Sequence, residues 1–325
     1  MSKNNILRSE LAPRVGFEPT TSRLTVGCST TELPRNSCSG GGPIAAGLRV
    51  VQRGNVQNRP ISVTDPDDPR VAAFRDIKER DLTGREGLFV AEGEVVLRVL
   101  ASATSLCRPQ ALLVAEKRLA ALEDIIERWP DEAPVYVAGQ AVLDRIAGFH
   151  LHRGILALGR KPDAIDPAAL LGDVSDGNVF VVANAIGNHD NMGGLFRNAA
   201  AFGAKAVLLD DRCCDPFYRK AIRVSVGAVL RTPMATGAPI EVIVSELQLA
   251  GVETLAFTPS ATETLAAYRR KGPVAVILGS EGPGLPPAVI ERCRPIGIPM
   301  AGGFDSLNVA ATSAIALHHL TSAGR

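Results

Sequence analysis

What this 325-residue chain lacks narrows its possibilities first. No stretch reaches the roughly 18 consecutive apolar residues of a membrane-spanning helix, so no such span is expected. The first thirty residues carry no basic-then-apolar run. Pro13, Pro19 and several charges interrupt them, which sets aside a secretory signal. The six cysteines (Cys28, Cys38, Cys107, Cys213, Cys214 and Cys293) include no C-x-x-C pair. A zinc knuckle or thioredoxin-like motif is therefore not indicated, and free thiols in a reducing cytoplasm are expected. Aromatic residues are scarce, at 4%. Ala, Val, Leu, Ile and Gly dominate instead, which suits an α/β protein packed with small side chains. Nor is there an overall excess of positive charge: the net value is +1. Residues 1–60 hold 8 Lys/Arg against 3 Asp/Glu, and the remainder 27 against 31. Any nucleic-acid contact must then come from local basic clusters, not from bulk charge.

The length suits two domains. Residues 1–60 read unlike the rest. They are rich in Gly, Ser, Thr, Arg and Pro, show no sustained period of 2.0 or 3.6, and are assigned no fold. The segment from Gly16 to Pro34, G-F-E-P-T-T-S-R-L-T-V-G-C-S-T-T-E-L-P, is similar to the string produced when a tRNA gene is translated in an over-extended reading frame. A misplaced start codon is the expectation, with a disordered basic arm as the alternative. Residues 61–161 read as a compact α/β module. A helix opens near Asp68 and runs to about Arg80. Strands are expected at Leu88–Ala91, Ala111–Ala115, Val135–Ala138 and Gly154–Gly159, and helices near Glu94–Ser102, Glu116–Arg128 and Gln140–Ala147. Residues 162–177 form a Pro/Asp/Gly-rich connector with one short helical turn.

From 178 to 325 the alternation becomes regular. Strands are expected at 179–183, 205–209, 252–257 and 274–278, with a short one near 295–298; helices are expected at 191–202, 240–250, 286–292 and 308–320. Met192, Leu195, Phe196, Ala199 and Phe202 follow helical spacing and give an apolar stripe. Near-continuous apolar strands imply a parallel sheet covered on both faces.

Three stretches combine glycines with polar residues just after a strand, where a parallel α/β sheet builds its site. The first, Asn184 to Gly203, is N-A-I-G-N-H-D-N-M-G-G-L-F-R-N-A-A-A-F-G. Asn191 is placed as its helix N-cap. Gly193 and Gly194 open the first turn to another backbone or a ligand, and Arg197 follows on the flank of the stripe. The second, I-L-G-S-E-G-P-G-L from Ile277 to Leu285, is a rigid glycine-proline loop with exposed N–H groups. It lacks the G-x-G-x-x-G order of a dinucleotide fingerprint and is not a nucleophile elbow. The third, I-P-M-A-G-G-F-D-S-L-N-V-A-A-T-S-A, runs from Ile298 to Ala314 and sets Ser306 and Asn308 before a small-residue helix. A Ser-His-Asp hydrolase is disfavoured, because His318 and His319 lie about three turns down that same helix. His150 and His152 alternate on one strand face, but no metal site is expected there.

Taken together, N-x-G-x-x-x-R, G-x-E-G-x-G-L and I-P-M-x-G-x-x-x-S-L-N-V resemble the three signature motifs of the SpoU/TrmH branch of the SPOUT RNA methyltransferases. R-V-S-V-G-A (Arg223–Ala228) resembles a further family segment. Residues 61–161 are similar, more loosely, to the family's amino-terminal RNA-binding module, through R-D-I-K, F-V-A-E-G and H-R-G-I-L-A. The resemblance implies an α/β parallel sheet closed by a carboxyl-terminal trefoil knot, in a cytoplasmic homodimer whose subunits complete each other's sites. It implies S-adenosylmethionine as cofactor, cradled by Thr258, Leu278, Gly279, Ile298, Met300 and Leu307. The implied reaction is 2′-O-methylation of ribose in rRNA or tRNA, with no DNA, membrane or metal partner. The site residues carried over are Arg197, Asn191, Glu281, Ser306 and Asn308. A guanidinium is a poor base, so Arg197 is expected to grip a phosphate and orient the hydroxyl, with Glu281 orienting Arg197 or Asn191, and Ser306 and Asn308 bonding the ribose or the arginine. Two positions depart from the pattern: Asn188, where Asp is frequent, and His189, where Pro is frequent. Local basic clusters at Arg212, Arg219, Lys220, Arg223 and Arg231, and at Arg269-Arg270-Lys271, are candidates for RNA contact. Two other readings stay open: methylation of a base nitrogen, against which the S-L-N-V motif argues, and an RNA-binding protein with a vestigial methyltransferase fold.

Overall fold

Residues 60–75, 86–302 and 306–322 are described by a computed structural model. They all belong to one unit, Gly54–Arg325. The expectation for residues 1–60 falls outside the described residues, save Pro60.

The first sheet contains β1 (Ile61–Val63), β2 (Leu88–Glu92), β3 (Arg108–Ala115), β4 (Val135–Ala138) and β5 (Ile155–Arg160), in the order β1-β4-β3-β5-β2. The pairs β1/β4 and β4/β3 are parallel, and β5 runs antiparallel to β3 and β2. Three helices accompany it: α1 (Glu94–Leu100), α2 (Glu123–Ile126) and α3 (Gln140–Ala147). The helix expected from Asp68 begins instead as a 3-10 turn, Pro69–Phe74. The Asp68 carboxylate accepts the Arg70 amide at 2.8 Å, and Pro69 presets the first φ. Residues 76–85 lie outside the described residues. The helix expected at Glu116–Arg128 is two 3-10 turns, Glu116–Arg118 and Ala120–Leu122, followed by α2. Only Leu122, Ile125 and Ile126 in that stretch are buried, too few for a long amphipathic stripe.

After the short helix α4 (Pro167–Leu170) the chain builds the second sheet. Its elements are β6 (Val179–Ala183), α5 (His189–Phe202), β7 (Ala206–Asp210), α6 (Arg219–Val224), β8 (Met234–Ala238), α7 (Ile240–Leu249), β9 (Glu253–Phe257), β10 (Val274–Leu278), α8 (Pro287–Arg292), β11 (Arg294–Ile296) and α9 (Val309–Ser322). The strand order is β11-β9-β10-β6-β7-β8, and every pairing is parallel. The strands and helices expected in this sheet are present, with ends shifted by at most two residues. Two elements were not anticipated. β8 is an edge strand with exposed Thr236 and Gly237, and α6 is six residues long and rich in cations, so neither carries a sustained apolar period.

Alternation along the strands sorts side chains onto two faces. Val179, Val181 and Ala183 of β6 enter one apolar cluster, while Phe180 and Val182 enter another with Ile243, Leu247 and Ile277. The first cluster runs without a break into the amino-terminal sheet. There Phe89 of β2 meets Phe217 with ring centroids 5.3 Å apart. The Leu106 amide donates to the Leu230 carbonyl at 2.8 Å, and a Cβ on Gly227 would lie 3.1 Å from Val99.

Helix α5 starts at Asn188, whose side chain accepts the amides of Asp190 (2.8 Å) and Asn191 (3.4 Å). The cap expected at Asn191 is thus three residues earlier, which frees the Asn191 amide side chain for other work. Gly193 and Gly194 let neighbouring helices close in. A Cβ on Gly193 would lie 2.7 Å from both the Ala221 carbonyl oxygen and Val224 Cβ of α6, and one on Gly194 2.7 Å from Ala310 Cβ of α9. Alanine at position 193 gains about 1 kcal/mol of helix propensity, but overpacking against a backbone carbonyl costs about 1–3 kcal/mol. Gly193→Ala is therefore expected to lower the urea midpoint at unchanged m-value. Gly177→Ala, at a site with nothing within 4 Å, should leave it unchanged.

Candidate active site

The carboxyl ends of β9 and β10, the chain after β11 and the start of α9 surround a cavity of about 750 Å³. Apolar side chains form much of its wall: Leu278, Ile298, Met300 and Leu307. Leu307 is 42% exposed, so an apolar surface stands open to solvent. Thr258 and Gly279 lie on the same wall, so all six residues expected to cradle the cofactor line one space. Cavities of roughly 300–1,000 Å³ suit small ligands with a few convergent polar groups.

The loop after β10 is tightly folded. Gly279 passes so close to the returning chain that a Cβ there would lie 2.4 Å from the Gly284 carbonyl carbon and 2.5 Å from the Leu285 nitrogen. Gly282 and Gly284 take φ of +90° and +70°, which glycine adopts without penalty. The Gly284 amide closes the turn on the Ser280 carbonyl at 3.2 Å. On the far side, the chain after β11 is pinned to the segment after β9. Thr258 N–H donates to Ile296 O at 3.1 Å, Leu265 N–H to Gly297 O at 2.8 Å, and Gly297 N–H to Glu263 O at 2.8 Å. Arg294 reinforces this join by ion pairs to Glu253 (2.8 Å) and Glu263 (2.7 Å).

Three side chains from the three glycine-bearing stretches meet at the cavity's edge. Asn191 Nδ2 donates to Glu281 Oε1 at 2.5 Å, and Asn308 Nδ2 donates to Asn191 Oδ1 at 2.8 Å and to Glu281 Oε1 at 3.5 Å. Asn191 is buried. The Asn308 Oδ1 faces the other way and caps α9, accepting from the amides of Ala310 (2.9 Å) and Ala311 (3.3 Å). Ser306, Asn308 and Glu281 line the cavity.

Arg197 stands apart. It is exposed, lies four residues beyond Gly193 on the α6 side of the helix, and lines no part of the cavity. Glu281 bonds Asn191, not Arg197. Next along α5, Asn198 ties the helix to α9, donating to Ala310 O (2.7 Å) and Ser313 Oγ (2.8 Å). Sequence reasoning passed over Asn198, although it is the residue next to Arg197 in the motif. It also missed the buried pair in which Asn184 Nδ2 donates to Asp210 Oδ2 at 2.5 Å while Asp210 Oδ1 accepts the Ala185 amide at 2.9 Å. A polar residue ending an apolar strand, twice over, was the signal.

The departures from the family pattern have local explanations. Asn188 supplies a neutral cap where a carboxylate would add charge. His189 stacks on Tyr218 with ring centroids 4.1 Å apart, and burial, then the nearby Lys220, push its imidazole below the ordinary value. The second basic stretch has structural work: Arg270 donates to the carbonyls of Gly272, Asp176, Asn178 and Leu320, lacing the start and end of the domain together. Burial pushes the Cys213 thiol up to about 12 and the Cys214 thiol to about 11, so both are protonated at neutral pH.

Residues 178–318 match the SpoU rRNA Methylase family. The chain is 38% identical over 276 residues to an uncharacterized tRNA/rRNA methyltransferase of Mycobacterium bovis, spanning 81% of this chain and 92% of that relative. It is likewise 38% identical over 277 residues to an uncharacterized tRNA/rRNA methyltransferase of Mycobacterium tuberculosis, over 81% of this chain and 92% of that relative. Among solved structures, it shares its fold with an AdoMet-bound rRNA methyltransferase from Sinorhizobium meliloti (TM-score 0.68, 23% identity, 82% of this chain and 98% of that one). An RNA 2′-O ribose methyltransferase superposes with TM-score 0.65 at 25% identity, over 81% of this chain and 99% of that one. With its six-stranded parallel sheet and its three polar loops closing on one cavity, the chain belongs to the SpoU rRNA methylase family.

Proposed function

We propose that this protein transfers the methyl group of S-adenosylmethionine to a ribose 2′-hydroxyl of rRNA or tRNA, and that it works as a cytoplasmic homodimer. In this reading residues 61–161 form an RNA substrate-binding module, 162–177 a connector, and 178–325 the methyltransferase domain, whose carboxyl-terminal chain is threaded as a trefoil knot. The observation that carries the reading is the convergence of Asn191, Glu281 and Asn308 beside a cavity with an apolar wall. Support for the knot comes from residues 296–297 returning past 258–265 before the chain enters α9. Knots are rare, so composition and periodicity alone give no reason to expect one.

The cavity's residues fit the cofactor. Ile298, Met300, Leu278 and Leu307 would cover the faces of an adenine, and backbone groups around Thr258 and Gly279 would meet its polar edge. When bound, S-adenosylmethionine supplies an electrophilic sulfonium methyl. The protein's own part is placement, since transfer to a hydroxyl depends on close in-line positioning. Asn191, Glu281 and Asn308 hold the loops, and Ser306 at the rim bonds the incoming ribose. Arg197 holds a phosphate of the target by its forked N–H groups and so turns the hydroxyl toward the cavity. The hydroxyl proton passes to the RNA phosphate or to water, because a guanidinium is a poor base.

A cavity that Arg197 of its own chain does not line needs that group from elsewhere. In a homodimer, Arg197 of a second copy supplies it. Arg197→Ala should abolish methyl transfer while leaving S-adenosylmethionine affinity, measured by calorimetry, close to wild type. Gly279→Val should lose cofactor affinity. Mixing the two inactive variants under subunit exchange should restore part of the activity, because one hybrid site then pairs an intact cavity with an intact arginine. No recovery would place both groups on one chain. Digested product RNA should contain 2′-O-methylnucleoside by mass spectrometry; a base-methylated nucleoside would favour the alternative chemistry.

A further inference from the structure

We infer that the surface shared by residues 149–153 and helix α6 is a track for an unpaired RNA segment, leading to the Glu281–Asn308 end of the cavity. The inference rests on the methyltransferase reading and specifies where that substrate lies. Glu92, at the end of β2, faces two arginines of α6: Arg219 Nη1 and Arg223 Nη1 lie 3.6 and 3.8 Å from its Oε2. The Arg219 guanidinium also lies over the Phe149 ring, 4.7 Å from its centroid. Beside Glu92, Gly93 leaves room for Arg153, since a Cβ there would lie 2.8 Å from Arg153 Cδ and 2.9 Å from its Nη1. Two guanidiniums of α6 thus flank one carboxylate that is only 12% exposed, and a third, that of Arg153, lies against the neighbouring Gly93. The excess charge is positive, and Arg153 and Arg223 are exposed.

The strip continues toward the cavity by named contacts. Lys220 pairs with Asp190, in the first turn of α5, at 2.6 Å. His189 stacks on Tyr218, the residue preceding α6. Two residues beyond His189, Asn191 donates to Glu281 at the cavity's edge. Arginine forks match the oxygens of successive phosphates. Exposed Phe149 and the half-buried His189–Tyr218 stack offer rings to nucleobases, and only an unpaired strand can turn its bases onto rings. The charge-neutral bulk of the chain does not blur this strip; the cations are local.

The test uses the full chain and fluorescence anisotropy with a 5′-labelled 12-nucleotide oligouridylate and a 12-base-pair RNA duplex, across a salt series. The wild type should prefer the single strand. Arg153→Glu combined with Arg223→Glu should weaken that binding at least about tenfold and reduce the slope of log affinity against log salt by about 1.4, near 0.7 per lost phosphate contact. His189→Ala should weaken binding about fivefold or more with the slope retained, because stacking releases no counterions. Cofactor titration should read as wild type in each. If the reversal disturbs folding, the Arg153→Gln, Arg223→Gln pair should move affinity and slope in the same direction. Unchanged affinity and slope in a double variant that still binds cofactor would overturn the track and leave the methyltransferase reading standing. Tighter binding of the duplex would overturn the unpaired segment. A wild type that binds neither RNA nor cofactor would overturn both.

Discussion

Asn191, Glu281 and Asn308 come from positions in the chain separated by as many as 117 residues, and the site depends on the hydrogen bonds among them. Each has a second duty that fixes its place. Asn191 sits in the first turn of α5, Glu281 on the glycine loop after β10, and Asn308 at the cap of α9. Joining the three side chains therefore joins two helix starts and a loop. Because Asn191 is buried, an unmade bond there costs its full desolvation, about 1–3 kcal/mol. A loop rich in glycine has many conformations, and this penalty selects the one that leaves the cavity open.

The same economy of side-chain volume runs through the packing around the site. Gly193 and Gly194 admit α6 and α9 to within contact of the α5 backbone, and Asn198 then bonds the α9 carbonyl brought near. The amino-terminal sheet is held against this assembly by shared apolar surface. The Phe89–Phe217 pair contributes about 0.5–1.5 kcal/mol beyond its buried area, and the Lys161–Asp215 ion pair, at 2.5 Å, is partly shielded. A hydrophobic join of this kind restrains relative motion that a bare connector would permit. The basic residues of both sheets can then act as one surface.

Much of this was legible in the sequence because the second sheet is built from apolar strands with sharp ends. β6 and β10 were expected over their full lengths, and the glycine-bearing loops that follow them were picked out as a site. The six residues expected to cradle the cofactor line one cavity. Other features were not legible for physical reasons. β8 is an edge strand half open to solvent, and α6 is too short to show a period. Asn188 and Asn191, three residues apart, are both residues that can cap a helix, and the bond from Asn191 to the Glu281 carboxylate, 90 residues away, is not visible in local sequence. The position of Arg197 outside its own chain's cavity depends on which way the helix turns after Gly193, and spacing alone does not give that rotation relative to the loops.

The measurement that bears most directly on the account is a calorimetric titration of S-adenosylmethionine into the wild-type protein and into Asn191→Ala. Removing the Asn191 amide strips Glu281 and Asn308 of their shared partner, at a cost of about 1–3 kcal/mol. The account predicts one saturable site per chain in the wild type and affinity at least about fivefold weaker in the variant, since about 1.4 kcal/mol corresponds to tenfold. Equal affinity in the two proteins would contradict it, as would a wild type that takes up no cofactor.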